Sequence, residues 1–146
     1  MRGNQIATID EKGRLKVPAA FKAEIEEAHG TEFYVTSVTG DSVLVYPLPV
    51  WQEIEDRLAK LPALNPTKMK FLDRTSYYGQ STSLDKSGRI LIPSQLRESA
   101  KMTGEVVVLG KMNYLDVWNH ERFLATKLRE QEFTKEDLEI LGGLGI

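Results

Sequence analysis

Two stretches decide the fold: residues 8–22, TIDEKGRLKVPAAFK, and residues 83–97, SLDKSGRILIPSQLR. At an offset of 75, Asp10 falls on Asp85, Gly13 on Gly88, Arg14 on Arg89 and Pro18 on Pro93. Thr8/Ser83, Ile9/Leu84, Leu15/Ile90, Val17/Ile92 and Phe21/Leu96 are chemically alike. Self-similarity of this kind marks a chain built from copies of one supersecondary unit. The copies continue: TEFYVTSVTGDSVLVYPLPVW at 31–51 resembles GEVVVLGKMNYLDVWNHERF at 104–123. There Val45-Tyr46 matches Val117-Trp118 at an offset of 72, so the second copy is about three residues shorter.

Local patterns turn each copy into elements. Leu15 and Val17 alternate with Arg14 and Lys16, the period of a half-buried strand. Pro18 and Pro93 end those strands and suit the first turn of a helix. Phe21, Ile25 and Ala28 recur at helical spacing. Gly30 and Gly104 precede the next strands, and Gly40-Asp41 and Met112-Asn113 sit where tight turns are needed. Trp51, Ile54, Leu58 and Leu61 predict a helix over 51–61. Asn65-Pro66 opens another over 66–77, and Asn119 caps one running to about 131. Thr134 with Asp137 predicts a capping box on a last short helix ended by Gly142-Gly143, with a frayed tail at 142–146. Each copy holds only about 50 residues of strand-rich sequence, marginal for a core of its own. The pattern predicts an α+β fold in which two small β units interlock about a pseudo-two-fold axis. It divides into a first repeat at 4–50, a helical connection at 51–78, a second repeat at 79–122 and a C-terminal helix and tail at 123–146.

Composition narrows the chemistry. The 146 residues carry no cysteine, which excludes disulfides, thiolate metal sites and cysteine nucleophiles. Neither the opening MRGNQIATIDEKGR nor any later apolar run reads as a signal peptide or membrane span, so a soluble, cytoplasmic chain is expected. The formal charge is only −2, yet it is unevenly placed. Residues 1–22 sum to +3 and residues 81–97 to +2, whereas 23–66 hold eight acids and two bases. Positive charge therefore gathers on the repeated motif, as expected of segments that face phosphate.

The motif is Asp-x-x-Gly-Arg followed by apolar-x-apolar-Pro. Gly13 and Gly88 are expected to supply a positive φ after a turn. Asp10 and Asp85 are placed to accept backbone N–H groups a few residues on. In a single copy, Asp and Arg that simply stabilise a turn would be a serious competing reading; two copies with the same continuation make coincidence a poor account. The units DEKGRLKVP and DKSGRILIP resemble the AbrB-like (SpoVT-AbrB) swapped-hairpin DNA-binding domain. Two units in one chain, with YPLPVW after the first and NPTKMKFLDR before the second, resemble the MraZ family over about residues 1–131. Residues 132–146 match least, and no role is carried onto them.

That resemblance implies two swapped-hairpin units interlocked in a small barrel, with helices after each. It implies a bacterial transcriptional regulator that assembles into homo-oligomeric rings, associates with the nucleoid and binds double-stranded DNA. The sites implied are short G-rich direct repeats upstream of its own operon of division and cell-wall genes. The family's DNA-contacting arginine falls on Arg14. Groove chemistry agrees: arginine donates two hydrogen bonds to guanine O6 and N7, while Lys12 and Lys16 suit phosphate, which positions without reading sequence. Arg2, Lys86 and Arg89 are further candidate contacts. On the strand after the turn the first copy offers Arg14 and Lys16 with Lys12 beside them, and the second offers Arg89 and Leu91 with Ser87. The first copy is thus expected to carry most of the DNA contact, the second either contributing less of it or using Leu91 at a subunit contact.

No cofactor, metal, small-molecule substrate or catalysis is expected. The two histidines, His29 and His120, lie in unrelated contexts, and no GxSxG, HExxH or phosphate-cradling glycine loop occurs. The aromatic residues fall in strand and helix positions, which favours packing over base stacking. Two other readings stand beside a DNA-binding regulator: an antitoxin-type module that binds a partner protein, and a ring-forming scaffold without DNA binding.

Overall fold

The architecture comes from a computed structural model that describes all 146 residues. The elements follow the repeat. The first copy comprises β1 (Arg2–Thr8), β2 (Arg14–Lys16), α1 (Ala19–His29), β3 (Glu32–Thr36), β4 (Val43–Pro47) and α2 (Leu48–Leu58). Helix α3 (Pro66–Tyr77) connects to the second copy, β5 (Gln80–Ser83), β6 (Arg89–Leu91), α4 (Ser94–Ser99), β7 (Glu105–Lys111), β8 (Tyr114–Asn119) and α5 (His120–Arg122). A π-helical turn at Phe123–Leu128 extends α5, and α6 (Lys135–Gly143) ends the chain.

Six strands form one antiparallel sheet in the order β1-β7-β8-β4-β3-β5, while β2 pairs with β6 as a separate two-stranded ribbon. The first strand of each copy leaves its own repeat. Strand β1 runs along β7 from Arg2↔Lys111 to Thr8↔Glu105. Strand β5 runs along β3 from Glu32↔Ser83 to Val35↔Gln80. The copies also meet at the sheet centre, where Val43 of β4 pairs with Val117 of β8.

This exchange solves the size problem. Seventeen buried residues form a single apolar cluster, and the repeat offsets of 75 and 72 pair twelve of them across the two copies: Leu15 with Ile90, Val17 with Ile92, Phe21 with Leu96, Ile25 with Ala100, Val43 with Leu115 and Val45 with Val117. Neither half closes its own core; each supplies one wall of a common one.

Several expectations need correction. The barrel is not closed. Pro18 and Pro93 lack the N–H that would extend β2 and β6, so each strand stops after three residues. Only one bridge, Ile9↔Leu15, links the first arm to the ribbon, and no continuous ladder joins ribbon and sheet. Helix α2 begins at Leu48 rather than at 51 and ends before Leu61, because Pro47 takes the N-cap and Pro49 fits the first turn. The helix after Asn119 is interrupted by its π turn, where Thr126 Oγ1 donates to the Arg122 carbonyl at 2.7 Å and loosens the ladder. The capping box of Thr134 and Asp137 forms. Helix α6 runs through Gly143, two residues into the tail expected to fray, and the Ile146 N–H reaches the Leu141 carbonyl at 3.1 Å.

Leu15 and Ile90 pair directly across the ribbon and are buried in the common core. Leu15→Ala and Ile90→Ala should each lower stability by about 2–5 kcal/mol, and a double variant should depart from additivity because the two are cross-strand partners. Urea unfolding of the four proteins checks both statements.

Candidate nucleic-acid interface

The two Asp-x-x-Gly-Arg motifs fold into matching turns. In the first, Asp10 Oδ1 accepts the backbone N–H groups of Lys12 at 3.0 Å and Arg14 at 2.8 Å. In the second, Asp85 Oδ1 accepts those of Ser87 at 2.8 Å and Arg89 at 2.9 Å. Main-chain bonds close both turns, from Gly13 N to Asp10 O and from Gly88 N to Asp85 O, each 3.0 Å. Both glycines hold the positive φ the turn requires, 79° at Gly13 and 75° at Gly88.

Each turn delivers its arginine to the ribbon. The register Arg14↔Leu91, Leu15↔Ile90, Lys16↔Arg89 is symmetric under the offset of 75 about the Leu15–Ile90 pair. The symmetry extends beyond the strands: Val17 N donates to Gly88 O and Ile92 N to Gly13 O, both at 3.0 Å. Alternation places Leu15, Val17, Ile90 and Ile92 inward, all buried. The outward face carries Arg14, Lys16, Arg89 and Leu91, with Lys12 and Lys86 exposed on the flanking turns. Five candidate cations from two distant stretches thus meet on one ribbon. The sixth does not. Arg2 pairs with Lys111 at the far end of β1, about 20 Å along the strand from the first turn at the usual rise per residue.

Electrostatics distinguishes the copies. Arg14 Nε sits 2.8 Å from Asp10 Oδ2, and Arg14 Nη1 lies 3.8 Å from Asp85 Oδ2. Arg89 makes no carboxylate contact of this kind. The backbone N–H of Arg14 holds Asp10 below the ordinary carboxylate range, with the Arg14 side chain adding to it. The backbone N–H groups of Arg89 and Ser87 do the same for Asp85, with the charges of both Arg14 and Arg89 adding to it. The arginine of the first copy is therefore tethered by carboxylates from both.

Two further cations belong to this neighbourhood. A Cβ placed on Gly13 would collide with the Arg97 side chain, and one on Gly88 would come within 3.3 Å of Lys22 Cε. Lys22 and Arg97 are repeat mates at the same offset of 75, so the repeat itself held the signal that the motif residues alone did not. The aromatic residues pack with one another elsewhere: Tyr34 stacks on Trp51 at 4.7 Å and Tyr46 on Tyr114 at 4.9 Å.

Two outcomes follow. Gly13→Ala should destabilise more than Gly88→Ala. Both oppose a positive φ, at about 1–2 kcal/mol, but only the first also displaces Arg97; comparison of melting temperatures checks the order. Because the pKa values of Asp10 and Asp85 are lowered on folding, their stabilisation is complete above the unfolded carboxylate pKa and disappears as pH falls through the lower folded values. The stability gap between the wild type and an Asp10→Asn/Asp85→Asn variant should therefore be constant near neutrality and shrink with acidification below about pH 4.

Comparison with known proteins points the same way as the repeat. The family model described as "MraZ protein, putative antitoxin-like" matches residues 1–74 and 79–140, one segment over each copy. The chain is 48% identical over 145 residues to the transcriptional regulator MraZ of Acidobacterium capsulatum, covering 99% of both chains. It is 48% identical over 146 residues to that of Koribacter versatilis, again over 99% of each. Against the protein of the same name from Chromobacterium violaceum, identity is 34% over 83% of this chain and 82% of the other. With both repeats matched and almost half the residues shared along the full length of two relatives, the chain belongs to the MraZ family.

Proposed function

We propose that this chain is a transcriptional regulator that binds double-stranded DNA sequence-specifically, with its β2–β6 ribbon in the major groove. One observation carries the reading. In a chain of net charge −2, Arg14, Lys16 and Arg89 share the outward face of a two-stranded ribbon, with Lys12 and Lys86 on the turns at its ends. A two-stranded β element fits the major groove, and the ribbon's buried inner face fixes which side chains point at the bases. The transcriptional regulators named among its relatives support the same class.

In this reading Arg14 is the principal base contact, donating from its terminal amino groups to guanine O6 and N7. Lys12, Lys16 and Lys86 take phosphates and set register without reading sequence. The target is a set of short G-rich direct repeats upstream of the chain's own operon of division and cell-wall genes, and the protein works in the cytoplasm at the nucleoid. One ribbon offers few contacts, so a homo-oligomeric ring supplies avidity by presenting identical ribbons to repeats about one helical turn apart. The strand exchange of β1 and β5 supports assigning the units, at 4–50 and 79–122, to the swapped-hairpin type.

Fluorescence anisotropy over a salt series tests the reading. It compares the duplex upstream of the chain's own gene with a scrambled duplex of equal composition. Wild type should prefer the repeats and weaken steeply with salt. Arg14→Ala should cut that preference by about 5- to 150-fold, the equivalent of 1–3 kcal/mol. Lys12→Gln should weaken both duplexes alike and reduce the salt slope by about one. Absence of binding to either duplex at low salt, with assembly intact, would sink the reading in favour of a scaffold. A stoichiometric protein partner in its place would favour an antitoxin-type module.

A further inference from the structure

The second repeat reads as a weaker copy of the first if only its charges are counted. The geometry assigns it a different part: we infer that Asp85 and Leu91 are positioning residues that hold the Arg14 guanidinium in its base-reading pose. The inference rests on the DNA-binding reading above and adds to it the source of Arg14's orientation.

The symmetry of the ribbon makes the argument, because it shows what is not symmetric. The offset of 75 exchanges Arg14 with Arg89, Asp10 with Asp85 and the site of Lys16 with that of Leu91. Cross-strand neighbours therefore differ. Arg14 faces Leu91, whereas Arg89 faces Lys16. Directly opposed like charges repel and opposed apolar groups do not. Leu91, 40% exposed, leaves Arg14 without a cation directly opposite it. Arg14 then spans two carboxylates, with Nε 2.8 Å from Asp10 and Nη1 3.8 Å from Asp85. Arg89, beside Lys16, has no counterpart of either contact. A guanidinium gripped at two points loses fewer conformers on meeting a base edge than one that swings freely.

The two oxygens of Asp85 divide the work. Oδ1 accepts the N–H groups of Ser87 and Arg89 and builds the turn. Oδ2 faces Arg14. Asp85→Asn keeps an oxygen for the turn and removes the anion that tethers Arg14. Leu91→Lys leaves the turn untouched and places a cation opposite Arg14, as Lys16 already stands opposite Arg89.

The full-length chain and both variants are titrated with the upstream and scrambled duplexes over a salt series. The ratio of the two affinities is the readout. Each variant should lose about tenfold of the wild-type preference for the upstream duplex. Binding to the scrambled duplex should be unchanged or tighter, because each change shifts the net charge of the face by +1, Asp85→Asn by removing an anion and Leu91→Lys by adding a cation. An effect that is purely electrostatic strengthens both duplexes equally and leaves the ratio intact; that result in both variants overturns the inference. If Asp85→Asn unfolds its turn, visible as weakened binding to both duplexes and a lowered melting temperature, Leu91→Lys alone decides. A wild type without preference for the upstream duplex would overturn the DNA-binding reading itself, a result distinct from equal ratios in wild type and variants.

Discussion

The pairing of β2 with β6 is the interaction on which the rest of the structure depends. Each strand is three residues long, and an isolated ribbon of that length is not stable in water. It persists because its inner face, Leu15, Val17, Ile90 and Ile92, is part of the common core. That core in turn exists only because both repeats line it. Outer and inner faces are therefore alternate residues of the same few positions. A slip of one residue in register would bury Arg14 and expose Leu15, so the burial that stabilises the fold also dictates which cations face outward.

Exchange of the first strands reinforces this dependence. Strand β1 pairs with β7 of the other copy, and β5 with β3. Strands β3–β4 and β7–β8 pair within a repeat, whereas the outer ladders, the centre of the sheet, the apolar core and the motif ribbon all join one repeat to the other. This gives the ribbon its rigidity without length: it is braced at both ends by turns that Asp10 and Asp85 close onto their own backbones. A preformed ribbon presents its cations with little loss of conformational freedom on binding. The low net charge is compatible with such a site because acidic residues are concentrated in other segments of the chain.

Duplication with divergence then allows one half to serve the other. The turns are nearly superimposable in their hydrogen bonding, while the residues beside each arginine differ. Where the first copy has Lys16, the second has Leu91; where the second has an arginine with no carboxylate contact, the first has Arg14 held between two aspartates. Symmetry of the backbone, imposed by a shared core, coexists with asymmetry of the surface, which the core does not constrain.

Much of this was legible in the residues. The offset of 75, the alternation around Leu15, the glycines with positive φ, the proline stops and the capping residues are all local signals. Local chemistry determined them: φ preferences, strand periodicity and side-chain-to-backbone hydrogen bonds act over a few residues. The failures were equally local in cause. Apolar spacing from Trp51 points to a later start for α2 than the one Pro47 and Pro49 set as its cap and first turn, and the π turn near Thr126 leaves no periodic trace. Only the tertiary structure decided that β1 and β5 exchange partners, that Arg14 stands opposite Leu91 and reaches Asp85, that Lys22 and Arg97 sit over the opposing turns, and that Arg2 is remote from the ribbon. Those facts depend on which strand pairs with which across 75 residues of chain. That pairing is fixed by the burial of a common core, a property of the whole chain that no short stretch contains.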